Sequence, residues 1–180
     1  WDACAGAGGK SIAIMDLAGE QGKEVSLFTS DLRPQMVKTI IKRMQGAGQP
    51  DFTHTLADLS RPVKQLKFKE EVVKPGFFDA ILIDAPCSGS GTWGRNAQHL
   101  RYFEQEHLEE YLQLQKDIVT NALPFLKKGG SLFYFTCSVF EAENERQIDY
   151  FTRDLGLKLV KDEYLGNKNS DVLYYAVLNF

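Results

Sequence analysis

Ala80-Ile81-Leu82-Ile83-Asp84-Ala85-Pro86-Cys87-Ser88-Gly89 and, further along, Ser131-Leu132-Phe133-Tyr134-Phe135-Thr136-Cys137-Ser138 follow one plan. Each is a hydrophobic run that reads as a buried strand and delivers a cysteine just past its end. In an open α/β sheet, ligands and reacting groups gather beyond the carboxyl ends of the strands. Two thiols brought to that edge by different strands point to a reaction that needs two sulfurs. The plainer reading is two small packing residues, because free cysteine is among the most buried types. The glycines beside Cys87 and the shared placement weigh towards chemistry.

Around these stretches, strand and helix signals alternate. Residues 11–17 carry an apolar helical face, and residues 24–30 read as a strand closing on Asp31. Pro34 suits the first turn of a helix over residues 33–45, striped by Met36, Val37, Ile40, Ile41 and Met44 and stopped by Gly46-Ala47-Gly48. Residues 52–56 form a weak strand ending near Asp58, and the lysine-rich residues 60–76 predict a solvated connection with one short helix. After the strand of residues 77–83, a long loop over residues 84–102 leads to a helix over residues 104–126, bent at Pro124 and ended by Gly129-Gly130. Its inner side carries Leu108, Tyr111, Leu112, Gln115, Ile118, Val119 and Ala122. A strand over residues 131–136, a helix over residues 143–154 and strands over residues 157–160 and 172–178 complete the chain. The alternation predicts an α/β fold, a mostly parallel sheet with helices on both faces and a terminal antiparallel strand.

With 180 residues, the chain suffices for one domain with a full core and falls short of two. It has no apolar run able to span a bilayer and no charged-then-apolar leader, so no membrane role is expected. Three cysteines, an odd count with two of them beside glycine-rich loops, argue against a disulfide framework and for a reducing, cytoplasmic compartment. His54, His99 and His107 pair with no CxxC, so no metal site is expected. A net charge of −3 excludes a domain that grips polyanions by bulk charge; nucleic-acid contact would need a local patch or another domain. Trp1-Asp2-Ala3-Cys4 runs straight into a glycine-rich turn, where a strand of about five or six residues is usual. The expectation is a chain cut inside its first strand, the natural protein continuing upstream.

That turn, Asp2-Ala3-Cys4-Ala5-Gly6-Ala7-Gly8-Gly9-Lys10, lets backbone amides approach a ligand closely. A nucleoside triphosphate, a dinucleotide and S-adenosylmethionine are all open. Gly9-Lys10-Ser11 invites a phosphate-loop reading, which needs glycine where Cys4 stands, and GxGxxG would place its third glycine on Ser11. Both patterns fail. Asp31, ending a strand, is placed to accept hydrogen bonds from ribose hydroxyls, and Asp58 to meet an adenine amino group. Capping or turn chemistry is the alternative for both.

These residues together resemble the Sun/Nop2 family of RNA cytosine-5 methyltransferases. The likeness rests on the glycine loop, Asp84-Ala85-Pro86-Cys87-Ser88-Gly89-Ser90-Gly91, and Thr136-Cys137-Ser138 with Glu143-Asn144-Glu145, and covers nearly the whole chain in the family's order. The resemblance implies a Rossmann-like S-adenosylmethionine-dependent fold. It also implies a cofactor site at Cys4, Ala5, Gly6, Ala7, Gly8, Gly9, Lys10, Asp31, Asp58 and Asp84, a nucleophile at Cys137, ribosomal RNA as substrate, and an upstream RNA-binding region. The chain departs from the family at Ala7, where proline is usual, at Asn96-Ala97-Gln98, where Asn-Pro-Asp or His-Pro-Asp is common, and at Asp171-Val172-Leu173-Tyr174, which replaces Asp-Gly-Phe-Phe.

The chemistry explains why such residues are needed. Carbon 5 of cytosine is a poor nucleophile until a thiolate adds at carbon 6, which is covalent catalysis by cysteine. In that scheme Asp84 hydrogen-bonds ring nitrogen 3, and Cys87 assists removal of the carbon 5 proton before Cys137 departs. The target base must leave its stack, and Arg95 and Arg101, with Trp93 and Tyr102, are candidates for phosphate contact and base stacking. Two other readings compete: a DNA cytosine-5 methyltransferase, with Cys87 as nucleophile, and a non-catalytic RNA-binding or assembly module that keeps the fold.

Overall fold

The structure, a computed structural model, describes residues 1–49, 51–166 and 170–180. Helix α1 (Gly9–Glu20) is followed by strand β1 (Phe28–Asp31), helix α2 (Pro34–Gly46) and strand β2 (Thr53–Leu56). A small antiparallel hairpin, β3 (Lys67–Phe68) and β4 (Glu71–Val72), precedes β5 (Phe78–Asp84). Then come helices α3 (Ala97–Arg101) and α4 (Gln105–Ala122), β6 (Leu126–Thr136), α5 (Glu145–Arg153), β7 (Lys158–Leu165) and β8 (Leu173–Asn179).

Two parallel pairs, β1 with β2 and β5 with β6, are joined by the first residues of the chain. Asp2 bridges in parallel to Thr29 on one side and Leu82 on the other. The Ser30 N–H donates to the Asp2 carbonyl at 2.9 Å and the Ala3 N–H to the Leu82 carbonyl at 2.8 Å. The spatial order is therefore β2, β1, the Asp2 segment, β5, β6, β8, β7. The antiparallel strand expected from the sequence is β8, but it lies between β6 and β7, not at the edge. This is the expected α/β architecture, and it sends the chain ends of β1, β2, β5 and β6 to one edge.

Four local expectations are corrected. Residues 60–76 hold the β3–β4 hairpin rather than a helix, because Leu66, Phe68 and Val73 are buried among the lysines. Phe68 packs edge-on against Phe28 at 5.1 Å and against Trp1 at 6.3 Å, so the hairpin closes one end of the core. Helix α4 ends at Ala122 because Pro124 sits in a 3-10 turn, Leu123–Phe125, that stops it instead of bending it. Gly129 and Gly130 consequently lie inside β6. A Cβ on Gly130 would stand 2.8 Å from the Asp79 carbonyl, so a close strand approach explains that glycine. The strand before Asp31 spans only Phe28–Asp31, since its neighbours, β2 and Asp2, reach no further back.

Candidate active site

Beyond the ends of β1, β2 and β5 lies a cavity of about 340 Å³ lined by Cys4, Asp31, Asp58 and Asp84, with Leu32, Leu59, Leu114 and Ile118 as apolar walls. Four of the residues named from the sequence thus meet there. Ala5, Gly6, Ala7, Gly8, Gly9 and Lys10 build the turn beside it. The Gly6 N–H donates to Asp31 Oδ2 at 2.8 Å, tying the turn to β1. Gly8 has φ +82°, and a Cβ there would fall 2.4 Å from Ile40 Cγ1, so α2 packs directly on its backbone. The carbonyl of Ala7, the proline position of the resemblance, accepts from Arg43 Nη1 at 2.7 Å, which fixes the turn without the proline ring.

The acidic groups differ in their surroundings. Burial opposes ionisation of Asp31, but the Arg33 side chain and the N–H groups of Arg33 and Gly6 outweigh it and hold the carboxyl below its usual range. Its two oxygens already accept from Arg33 N, Nε and Nη2 and from Gly6 N, at 2.8–3.0 Å. Asp58 is kept low by hydrogen bonds from Ser60 Oγ at 2.6 Å and Ser60 N at 3.0 Å, a turn that leaves it at the cavity rim. Asp84 pairs with Lys10 Nζ at 2.7 Å, and Lys10 also lies over the Phe135 ring, so this lysine is engaged in the site and not merely solvated. Cys4 is an inert member: burial first, then Asp2, Asp31 and Asp84, push its thiol far up. A pocket with three carboxylates at its rim and aliphatic walls suits a ligand with ribose hydroxyls, an amino group, a flat ring and a positive charge. S-adenosylmethionine fits that donor set.

The two thiols meet. Cys87 Sγ stands 3.4 Å from Cys137 Sγ, an approach set by the parallel register of β5 and β6, which places Asp84 opposite Phe135. Either thiol can donate in this contact; with Cys87 as donor the bond lowers the Cys137 pKa, and the Cys137 backbone N–H and Lys10 add to the effect, against burial and Asp84. The same bond, with burial, pushes Cys87 up.

Sequence reasoning gave no role to the groups that hold the thiol loops in place. Glu143, fully buried, accepts from Ser88 N at 2.8 Å, Ser88 Oγ at 2.5 Å and Gln115 Nε2 at 3.0 Å. Gln115 also donates to the Pro86 carbonyl at 2.9 Å. Ser90 Oγ lies 3.0 Å from Ser138 Oγ, and the Gly91 N–H donates to the Cys137 carbonyl at 2.9 Å. Thr136 Oγ1 donates to Asn144 Oδ1 at 2.5 Å, and Asn144 Nδ2 donates to the Ser138 carbonyl at 2.9 Å. The signal for these groups was Gln115, a polar residue in the inner stripe of α4. Of the two arginines, Arg95 is tied to Asp171. Arg101 is exposed and makes no ion pair among the described residues.

A seven-strand sheet in this order, with an acidic cavity past its central strand ends, is the Rossmann-like fold of S-adenosylmethionine-dependent methyltransferases. Comparison with known proteins narrows the class. Residues 1–178 match the model of the family described as 16S rRNA methyltransferase RsmB/F, and the chain belongs to that family. It is 34% identical over 191 residues to the ribosomal RNA small subunit methyltransferase B of Pasteurella multocida, covering 98% of this chain and 41% of that protein. It is also 34% identical over 155 residues to the probable ribosomal RNA small subunit methyltransferase B of Synechocystis sp., covering 86% of this chain and 32% of that protein. The crystal structure of NSun6 from Pyrococcus horikoshii superposes with a TM-score of 0.76 at 22% identity, over 99% of this chain and 46% of that one, a likeness of fold. The chain thus spans about a third to two-fifths of the length of these curated relatives.

Proposed function

We propose that this chain is the catalytic domain of an enzyme that transfers a methyl group from S-adenosylmethionine to carbon 5 of a cytosine in ribosomal RNA, through a covalent Cys137–cytosine intermediate. The observation that carries the reading is the thiol pair at 3.4 Å, beside the Lys10–Asp84 pair and the acidic cavity. When bound, the cofactor supplies an electrophilic methyl group. Asp31 takes the ribose hydroxyls once the exposed Arg33 side chain swings aside, and Asp58 takes the adenine amino group.

The Cys137 thiolate attacks carbon 6, which makes carbon 5 nucleophilic. Asp84 engages ring nitrogen 3 through a proton shared between them, which stays on the nitrogen as Cys137 adds and returns when Cys137 leaves, and the Lys10 ammonium offsets charge developing on the ring. Once Cys137 is bonded to carbon, its thiolate no longer holds the Cys87 proton. Cys87 then gives its proton to solvent and, as a thiolate, takes the carbon 5 proton, the electrons of that C–H bond reforming the ring double bond as Cys137 leaves as thiolate. Cys137 as nucleophile is the RNA-type assignment, supported by the Lys10 ammonium, which favours its charged form; Cys87 as nucleophile is the DNA-type one.

The test uses the full-length protein with unmethylated small-subunit ribosomal RNA. Cys137→Ser is expected to abolish methylation and any covalent adduct. Cys87→Ser is expected to leave attack intact and to accumulate an adduct on methylated RNA that survives denaturing gels. An adduct formed by Cys137→Ser would overturn the assignment, and adduct lost only in Cys87→Ser would favour the DNA-type reading. A non-catalytic module predicts neither methylation nor adduct in the wild type.

A further inference from the structure

We propose that a second hollow, between the loop after Cys87 and helix α4, is a subsite for one unpaired nucleobase flanking the target cytosine. This inference rests on the RNA reading above. The hollow has a volume of about 290 Å³ and is lined by Ser88, Trp93, His99, Tyr102, His107 and Tyr111. Its chemistry is unlike that of the cofactor cavity, which has three carboxylates and no aromatic ring at its walls. No carboxylate lines this one; rings and imidazoles do. Aromatic faces stack on nucleobases, and imidazoles and phenols offer donors and acceptors to base edges.

Behind the lining, Trp93, Phe103 and Phe140 form a tripod with ring centroids 5.1, 5.4 and 5.8 Å apart, which holds the indole in place. The Trp93 Nε1–H is buried and has no hydrogen-bond partner among the described residues. An unpaired buried donor is costly, and this one belongs to a ring that lines the hollow. Tyr102, 73% exposed, also lines the hollow, which leaves its ring face open for stacking. The hollow also adjoins the chemistry: Ser88 follows Cys87 in sequence, and Phe140 lies on the loop that carries Cys137. Arg101, exposed near the mouth in sequence, is available for the phosphate between the two bases. A base held here would fix the strand while its neighbour sits against the thiols.

The experiment measures binding and methyl transfer by the full-length protein on a short single-stranded RNA containing the target cytosine, with the flanking nucleotide either intact or abasic. Wild type and Tyr102→Ala are compared on both RNAs, and Trp93 emission is followed during titration. Removing the flanking base is expected to weaken wild-type binding about five- to hundredfold. Tyr102→Ala should show a similar loss on the intact RNA and little further loss on the abasic one. Emission of Trp93 should be quenched by the intact RNA only, and Trp93→Phe should abolish that change while Trp1, in the core, reports a folded protein. Independent, additive losses, or no dependence on the flanking base while methyl transfer proceeds, would overturn the subsite and leave the RNA reading intact. Failure of wild type to bind or methylate the intact RNA would overturn the RNA reading, and the subsite with it.

Discussion

The two halves of the site are held by different means, as their buried carboxylates make plain. In the thiol half, both oxygens of Glu143 accept hydrogen bonds from the Cys87 loop or α4. In the cofactor half, Asp2 accepts one, from Ser11 Oγ at 2.6 Å, while its other oxygen has no partner among the described residues. Glu143 therefore fixes a shape, clamping two loops so that two sulfurs meet. The cofactor half is built mainly from backbone, with side chains such as Asp31, Asp58 and Arg33 at its rim. A backbone-built turn tolerates a changed side chain, as Ala7 does; a buried carboxylate with both oxygens engaged, as in Glu143, does not.

The largest effect expected from breaking this contrast is at Glu143. Glu143→Ala would leave the Ser88 N–H without its acceptor and the Gln115 amide with the Pro86 carbonyl alone, at about 1–3 kcal/mol for each lost acceptor. Denaturant unfolding should show a loss of roughly 3 kcal/mol or more. Glu143→Gln keeps an acceptor for one donor and should recover part of it. Equal stability of Glu143→Ala and wild type would mean that the thiol loops are held by something else.

Among the side chains that face the cofactor cavity, the effect to read is on affinity. Asp31→Ala is expected to weaken S-adenosylmethionine binding about tenfold to a hundredfold, the value of a charge-assisted hydrogen bond. Asp58→Ala should do less, because that carboxyl is partly occupied by Ser60. Arg33→Ala should move affinity the other way, since no guanidinium then has to leave Asp31. Calorimetric titration of the three variants reads all of this, and an unchanged affinity in Asp31→Ala would remove Asp31 from the site.

The same division explains what could be read from the sequence. The strand ends that carry Asp31, Asp84, Cys87 and Cys137 were legible because a hydrophobic run followed by a polar or thiol residue is a local signal. The meeting of the thiols was anticipated only as a shared edge; the 3.4 Å approach depends on the β5–β6 register, which no local pattern encodes. The hairpin at residues 67–72 was hidden because Leu66, Phe68 and Val73 are scattered among lysines, and their burial depends on Trp1 and Phe28, distant in sequence. Glu143 was visible as a motif residue, but nothing local reveals that its partners are Ser88 and Gln115. Lys10 was legible as the end of the glycine turn, but its partners Asp84 and Phe135 come from distant strands.

The smallest predicted effect is also the most direct probe of the incomplete carboxylate. Burial raises the Asp2 pKa to about 6, with Asp84 adding to the shift and Ser11 and Lys10 opposing it. An acid whose folded pKa lies above its unfolded value binds its proton more tightly in the native state. Its penalty on folding is absent below the unfolded value of about 4, grows between there and about pH 6, and is complete above. Asp2→Asn removes the charge and keeps an acceptor for Ser11. A rise of about two pKa units corresponds to almost 3 kcal/mol, and exchanging a charged for a neutral acceptor returns about 1 kcal/mol of it. The variant should therefore be more stable than wild type by about 1–2 kcal/mol at pH 8, with the gain disappearing as the pH is lowered to about 4. Urea unfolding at the two pH values measures the difference. A gain that persists at low pH would show that the benefit comes from packing, whereas a loss at pH 8 would mean that the Asp2 charge is compensated by a partner the cofactor half contains.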